Sequence, residues 1–407
     1  VFATRRPPWP LDNGARIRSA RLAQGLADVF DLTLITFADG PTYDESRAAR
    51  SDLEALLPGC RIELVPFGRP HPKGLRRALL RRSSVSWGAY ATPTLRAALR
   101  ALLREQADAR LHLDDPGVGL AGVGLAQGRT AVAPHNIEHR ILRDLAAAQP
   151  LWRRMFVAAE ARKVAAEERR CWQQADLCVA VSDLDAAAMR AGGARRVIVA
   201  PNGADPYDPL PPARPEPHEP IRLLFVGSGA FWPYERGLAW FAREVMSRLR
   251  ASEQVVLDVV GERPRAPVHG IGITYHGRVA DVRPFYEAAH ALVVPVFEGS
   301  GTRLKIIEAA LLGRPVISTE RGAEGLALEP RQHYIQAESP EDWVAAISSL
   351  RRDEVAGVVA AARAALKGFT WPRIAATLAD EYQGLGPGAT TVTIPVRHDV
   401  AGLQGGR

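Results

Sequence analysis

Three cysteines in 407 residues, Cys60, Cys171 and Cys178, are too few and too scattered for a disulfide framework, and with no CxxC pair they outline no zinc site. No apolar run reaches the length of a membrane span. Carboxylates and histidines with metal-ligand spacing are also missing, so metal-independent chemistry is expected. The aromatic and basic motifs of nucleic-acid binders are not found, which sets nucleic acid aside as a partner. The opening VFATRRPP lacks the charged, apolar and small-residue order of a signal peptide, and Val1 to Thr4 reads as a first strand short of its opening residues. The expectation is a cytoplasmic protein from a reducing compartment.

What is present fits a soluble α/β protein. Hydrophobic residues make up 47% and charged residues 24%, and 407 residues exceed what one core usually serves, so two domains are expected. A net charge of +7 favours anionic partners without choosing among them.

One stretch, Val293 to Thr319, carries a strand, loop, helix and strand in sequence. The apolar runs Ala291 to Val296 and Pro315 to Ser318 read as buried parallel strands. Between them Glu298-Gly299-Ser300-Gly301-Thr302 forms a glycine-bearing loop, and Arg303 to Leu312 has helical composition with Gly313 at its end. Free N–H groups and the dipole at a helix start make an anion site. Glu308, seven residues after Gly301, can hold two ribose hydroxyls if that anion is a nucleotide phosphate. The other reading is a solvated carboxylate on a surface helix.

The same pattern occurs near the start of the chain, where a strand, a loop closed by Asn13-Gly14 and a helix to about Leu26 precede a strand at Asp31 to Phe37. Alone it is a turn signal. In Arg69 to Arg82, Leu75, Ala78 and Leu79 share one helical face and arginines fill the rest; it reads as a contact for an anionic membrane or a phosphate-bearing acceptor, or as a charged solvated helix. The strand Ala131 to Ala133 runs into Pro134-His135-Asn136, placing His135 at the carboxyl edge of the sheet, where open α/β sheets bind ligands. Asp183-Leu184-Asp185 resembles a metal-binding DxD, but Ser182 three residues before Asp185 fits a helix N-cap better.

Seven prolines between Pro206 and Pro220 read as a linker. Beyond it Ile221 to Val226 opens a second α/β run: a loop Gly227 to Arg236, a helix Gly237 to Leu249, strands Val255 to Val260 and Thr274 to His276, and a helix Val282 to Ala289. Helices at Pro340 to Arg351 and Glu354 to Leu366 follow, and Thr370-Trp371-Pro372 opens a last one. The tail from Leu385 has no helical period, though Thr390 to Val396 suits an edge strand. The expected division is 1–205, linker 206–220, 221–369, helix 370–384 and tail 385–407.

GSGTRLKIIEAALLGRPVIST, with support from PNGAD, FVGSGAFWPYERGLAWF, YHGRV and PHNIEH, resembles the retaining, NDP-sugar-dependent glycosyltransferases of the GT-B fold, in the large family-four group and its TRLK-loop subgroup. The resemblance covers roughly residues 1 to 384. It implies two doubly wound Rossmann-like domains facing across a cleft, with the C-terminal helix returning to the first. It also implies transfer of a sugar, with retention, to an acceptor hydroxyl on a glycan, a lipid-linked or a small molecule in cell-envelope glycan synthesis. The NDP-sugar is then a co-substrate, and no cofactor is implied.

Carried over, Gly14 faces the donor diphosphate and His135 the donor sugar. Gly227 and Ser228 lie below the phosphates, with Arg236 where the family often has lysine. His276, Gly277, Arg278 and Val279 border the base, Thr302, Arg303 and Leu304 offer N–H groups, and Glu308 holds the ribose. Two positions depart. Ser300 stands where the first of the family's paired glutamates is expected, with Glu298 two residues earlier, and Ser228 replaces an arginine whose charge Arg303 or Lys305 could supply. A GT-B-like sugar-nucleotide epimerase and a non-catalytic sugar-nucleotide-binding subunit are the alternatives.

Overall fold

The computed structural model describes residues 1–38, 50–67, 83–88, 90–249, 254–268 and 272–386. Strands β1 (Phe2–Ala3), β2 (Thr33–Phe37), β3 (Arg61–Val65), β4 (Leu111–Leu113), β5 (Thr130–Val132), β6 (Leu177–Ala180) and β7 (Val197–Val199) form one parallel sheet in the order β3-β2-β1-β4-β5-β6-β7. Its helices are α1 (Gly14–Ala27), α2 (Arg50–Leu56), α3 (Val85–Gly88), α4 (Pro93–Glu105), α5 (Pro116–Gly122), α6 (Glu138–Ala147), α7 (Leu151–Gln174) and α8 (Asp183–Ala191). Apolar cores lie on both sides of the sheet, which is why a strand such as Thr33–Phe37 is buried at every residue.

The second half repeats the plan. It comprises β8 (Ile221–Val226), α9 (Trp232–Trp240), β9 (Val255–Val260), β10 (Ile273–Gly277), α10 (Arg283–Ala288), β11 (Ala291–Val294), α11 (Leu304–Leu311), β12 (Val316–Ser318), α12 (Glu320–Ala323), β13 (Ile335–Gln336), α13 (Pro340–Ser349), α14 (Val355–Leu366) and α15 (Trp371–Gln383). Its parallel sheet runs β10-β9-β8-β11-β12-β13. In each sheet the order reverses beside the first strand, between β1 and β4 and between β8 and β11, and such switch points are where doubly wound sheets open a crevice.

Residues 206–220 contain no helix or strand. They lie along the second domain, where Leu210 N donates to Leu312 O at 2.9 Å and Arg314 donates to Pro211 O. The chain then crosses back. Thr370 bridges to Ala204, and α15 packs Trp371, Ile374, Leu378 and Tyr382 into the same core as Leu22 and Leu26 of α1. Each fully buried side chain of that size contributes about 1.5–3 kcal/mol, so the last helix is part of the first domain's core.

One local expectation changes. The loop expected up to Arg236 stops earlier, because Pro233 occupies the first turn of α9 and the helix starts at Trp232. Gly237 then sits inside that helix, where any Cβ would collide with Pro295 O, so close packing accounts for it. The helix continues through a π-helical turn at Phe241–Val245 and a last turn at Met246–Leu249. The Asp183-Leu184-Asp185 triplet forms the first turn of α8, capped by Ser182 Oγ accepting from Asp185 N at 3.1 Å. The arginine-rich stretch at 69–82 and the strand expected at Thr390 to Val396 lie outside the described residues.

Candidate functional site

The two glycine-bearing helix starts, 290 positions apart in sequence, meet across the crevice. Asn13 caps α1, its Oδ1 accepting from Arg16 N at 3.1 Å, and leaves Gly14 at the helix mouth. A Cβ on Gly14 would lie 2.9 Å from Leu304 Cδ1, so the start of α1 touches the start of α11. α11 begins after Arg303 with no side-chain cap, which leaves its first N–H groups for backbone, water or ligand.

The loop ahead of α11 is held against the first domain. Gly299 N donates to Asp144 Oδ2 at 3.1 Å, and Thr302 Oγ1 accepts from Asn202 Nδ2 at 2.7 Å. Ser300 is buried, its hydroxyl 3.5 Å from Ile137 O. Gly301 has φ +89°, and any Cβ there would run into Asn136 Oδ1, so the backbone conformation and the close neighbour both demand glycine. This contact brings the loop beside His135.

His135 is held by a buried chain of polar groups. Its Nε2 lies 3.2 Å from Asp114 Oδ2, while Asp114 Oδ1 lies 3.3 Å from His112 Nε2, whose Nδ1 lies 2.5 Å from the Tyr382 hydroxyl of α15. Ser19 of α1 also donates to Asp114. Burial alone would raise the Asp114 pKa, but His135 and His112 outweigh it and hold Asp114 well below the ordinary carboxylate range. With Asp114 on Nε2, the other ring nitrogen, Nδ1, is buried and has no hydrogen-bond partner.

On the opposite wall, positive charge is buried with several donor atoms left without hydrogen-bond partners. Arg303 is 4% exposed; its Nη1 donates to the carbonyls of Ser300 and Gly301, and its Nε and Nη2 have no partner. Lys305 is 5% exposed, and its Nζ has no hydrogen-bond partner. That ammonium lies 4.0 Å from the Phe225 ring centroid and 3.8 Å from that of Tyr234, at the loop where Gly227 takes φ +148°. A Cβ at Gly227 would stand 2.8 Å from Nζ. Burial, then the neighbouring Arg303 charge, press the Lys305 pKa well below its ordinary 10.5.

Glu308 lies one turn further along α11. It accepts a hydrogen bond from the Tyr286 hydroxyl at 3.1 Å, and burial raises its pKa despite that bond. Tyr207, from the residues following β7, is also raised, to about 12, by burial and then by Glu308.

Of the remaining expected residues, two pair with each other and the others with neighbouring groups. Arg236 Nη1 lies 2.7 Å from Glu298 Oε1, in a partly exposed ion pair. Ser228 Oγ donates to Glu262 Oε2 at 2.9 Å, and the same carboxylate oxygen lies 3.3 Å from Arg278 Nη2. Arg278 also reaches across to Asp12 Oδ2 at 2.9 Å. Gly277, the end of β10, accepts from Gly261 N at 2.8 Å, and Val279 packs on the core beneath. Among the described residues no three His, Cys, Asp or Glu side chains are grouped to hold a metal ion.

Residues 220–353 match the family described as Glycosyl transferases group 1. They form a group 1 glycosyltransferase domain. No curated protein matches the chain. Among solved structures, sucrose-phosphate synthase from Thermosynechococcus elongatus superposes with a TM-score of 0.65 at 18% identity, covering 94% of this chain and 97% of its own. Anabaena HepE in complex with UDP-glucose gives 0.63 at 17%, with 94% and 99% covered. WaaG, a glycosyltransferase involved in lipopolysaccharide biosynthesis, gives 0.62 at 15%, with the same coverage. The chain therefore has the GT-B fold over nearly its whole length.

Asp114, Asn136, Asn202 and Asp144 were not singled out from the sequence, yet each holds this site together. Asp114 and Asn202 directly follow or closely follow strands β4 and β7, so the edge rule that picked His135 could have found them.

Proposed function

We propose that this group 1 glycosyltransferase moves a sugar from a nucleoside diphosphate sugar to an acceptor hydroxyl, with retention of configuration, in glycan or glycoconjugate synthesis. The observation that carries the reading is the pair of facing helix starts with unsatisfied cationic atoms of Arg303 and Lys305 beside them. Such a setting suits a diphosphate, whose charge grows as the sugar leaves. Arg303 and Lys305 stabilise that charge, and a bound anion favours the charged form of Lys305. Gly14 allows the diphosphate close to the start of α1. Glu308 receives the ribose hydroxyls after exchanging its bond from Tyr286. His135, oriented through Nε2 by Asp114, turns Nδ1 to the donor sugar and steadies the oxocarbenium-like centre.

The Arg236 and Glu298 pair stands at the sugar end, where Arg236 lends charge to the phosphate side and Glu298 accepts from sugar hydroxyls. Gly277, Arg278 and Val279 border the base. The related HepE structure holds UDP-glucose, which supports a uridine sugar as the first donor to test.

A panel of NDP-sugars tests this by thermal shift and by release of NDP on adding acceptors. A matching donor at a hundred times its dissociation constant adds roughly 2.7 kcal/mol of stability. Glu308→Ala is expected to lose that shift for the same donor. A shift of full size in Glu308→Ala removes the ribose assignment, and donor binding without NDP release for any acceptor favours a non-catalytic role.

A further inference from the structure

Among the described residues, the four most exposed large apolar side chains cluster in one place. Leu151, Trp152, Met155 and Phe156 open α7, with Leu151 75% and Trp152 71% exposed. At spacings of four, 151 with 155 and 152 with 156, they form two adjacent rows on one face. Arg153 and Arg154 are interleaved and exposed, and the Arg153 guanidinium lies 4.7 Å from the Trp152 ring centroid. From 145 to 159 these arginines are the only charged residues.

We propose that this tip is a docking surface for an anionic phospholipid membrane. Tryptophan and other large apolar groups beside arginine, with no carboxylate, match the chemistry of the layer where acyl chains meet phosphate headgroups. A second protein copy fits less well, because a stable interface uses about 20–30 residues a side and the tip offers a handful. The position also has a use, one that rests on the proposed transferase activity. α6 starts three residues after His135, carries the Asp144 that holds the glycine loop, and leads through Ala148-Gln149-Pro150 to the tip. Ten helical residues span about 15 Å. A membrane at the tip would therefore lie about one short helix from the sugar-transfer centre, within reach of a lipid-linked acceptor.

Vesicle flotation with the whole protein tests the surface. Phosphatidylglycerol-containing vesicles are expected to bind it at low salt and pure phosphatidylcholine vesicles to bind it weakly. Trp152→Ser with Phe156→Ser, and separately Arg153→Ser with Arg154→Ser, are each expected to lower the partition coefficient by about tenfold. Since these side chains are exposed, the melting temperature should stay unchanged, which separates lost docking from lost folding. The proposal is overturned if the wild-type protein ignores anionic vesicles, or if the tip variants float like wild type. A concentration-dependent dimer abolished by Trp152→Ser, without vesicle binding, assigns the tip to a second copy and also overturns it. Flotation uses no sugar nucleotide, so its failure leaves the donor reading intact, and failure of donor binding leaves this result intact.

Discussion

A lysine buried between two aromatic rings without a hydrogen bond lowers the stability of the empty protein, and that cost has a pH signature. Because the folded pKa of Lys305 lies below its ordinary 10.5, the unfolded chain binds the extra proton between the two values. Stability should therefore rise with pH across that interval and level off above about 10.5. Lys305→Met removes the charge and keeps the volume, so the alkaline rise should flatten while nucleoside diphosphate affinity falls at least about tenfold. Melting temperature against pH for both proteins checks the first, and calorimetric titration the second. Gly301 offers a second test at this scale. Gly301→Ala would put a Cβ on a residue at φ +89° against Asn136, so loss of activity is expected with little change in either sheet, measured by turnover and circular dichroism. The glycines and Glu308 were legible because backbone freedom at a helix start is written in residue type. Burial of Arg303 and Lys305 was not: α11 is buried nearly all round, so no polar face marks where its charges point. Lys305 is one of four lysines in an arginine-rich chain, a contrast that could have drawn notice.

Among elements, α15 shows how far sequence order can lie from spatial order. Leu378 is fully buried in the first domain's core, and Tyr382 closes the buried chain that ends at His135. Leu378→Ala is expected to cost about 2–5 kcal/mol, measured by denaturant unfolding, with increased amide exchange in α1 and little change in α13. Tyr382→Phe leaves His112 Nδ1 without its bond and should cost about 1–3 kcal/mol. The start of α15 was readable from Thr370-Trp371-Pro372; its destination came only from the family resemblance, because apolar periodicity states that a face is buried and not against what. The short helices α3 and α5 escaped notice for a related reason. Four or seven residues with internal glycine, as in Pro116–Gly122, give no period to detect.

For the whole molecule, polar links among the described residues cross the crevice at Asp12 with Arg278, Asn202 with Thr302, Asp144 with Gly299 and Arg321, and Ser300 with Ile137. Leu304 of α11 adds one apolar contact with the first domain's core, so closure rests on a few small contacts, most of which water can replace. The double variant Asn202→Ala, Arg278→Ala should open the ligand-free protein, seen as a larger radius of gyration by X-ray scattering and reversed by saturating donor. The repeated α/β plan was plain from the strands, but the contact of one half with the other depends on side chains hundreds of positions apart.

We propose that the donor diphosphate lies between the starts of α1 and α11. A crystal structure with a bound nucleoside diphosphate tests it most directly. Phosphate oxygens are expected within hydrogen-bond distance of the N–H groups opening α11 and of Arg303 or Lys305, with the ribose at Glu308. Diphosphate density elsewhere on the protein, with Arg303 and Lys305 still unpartnered at saturating ligand, would contradict it.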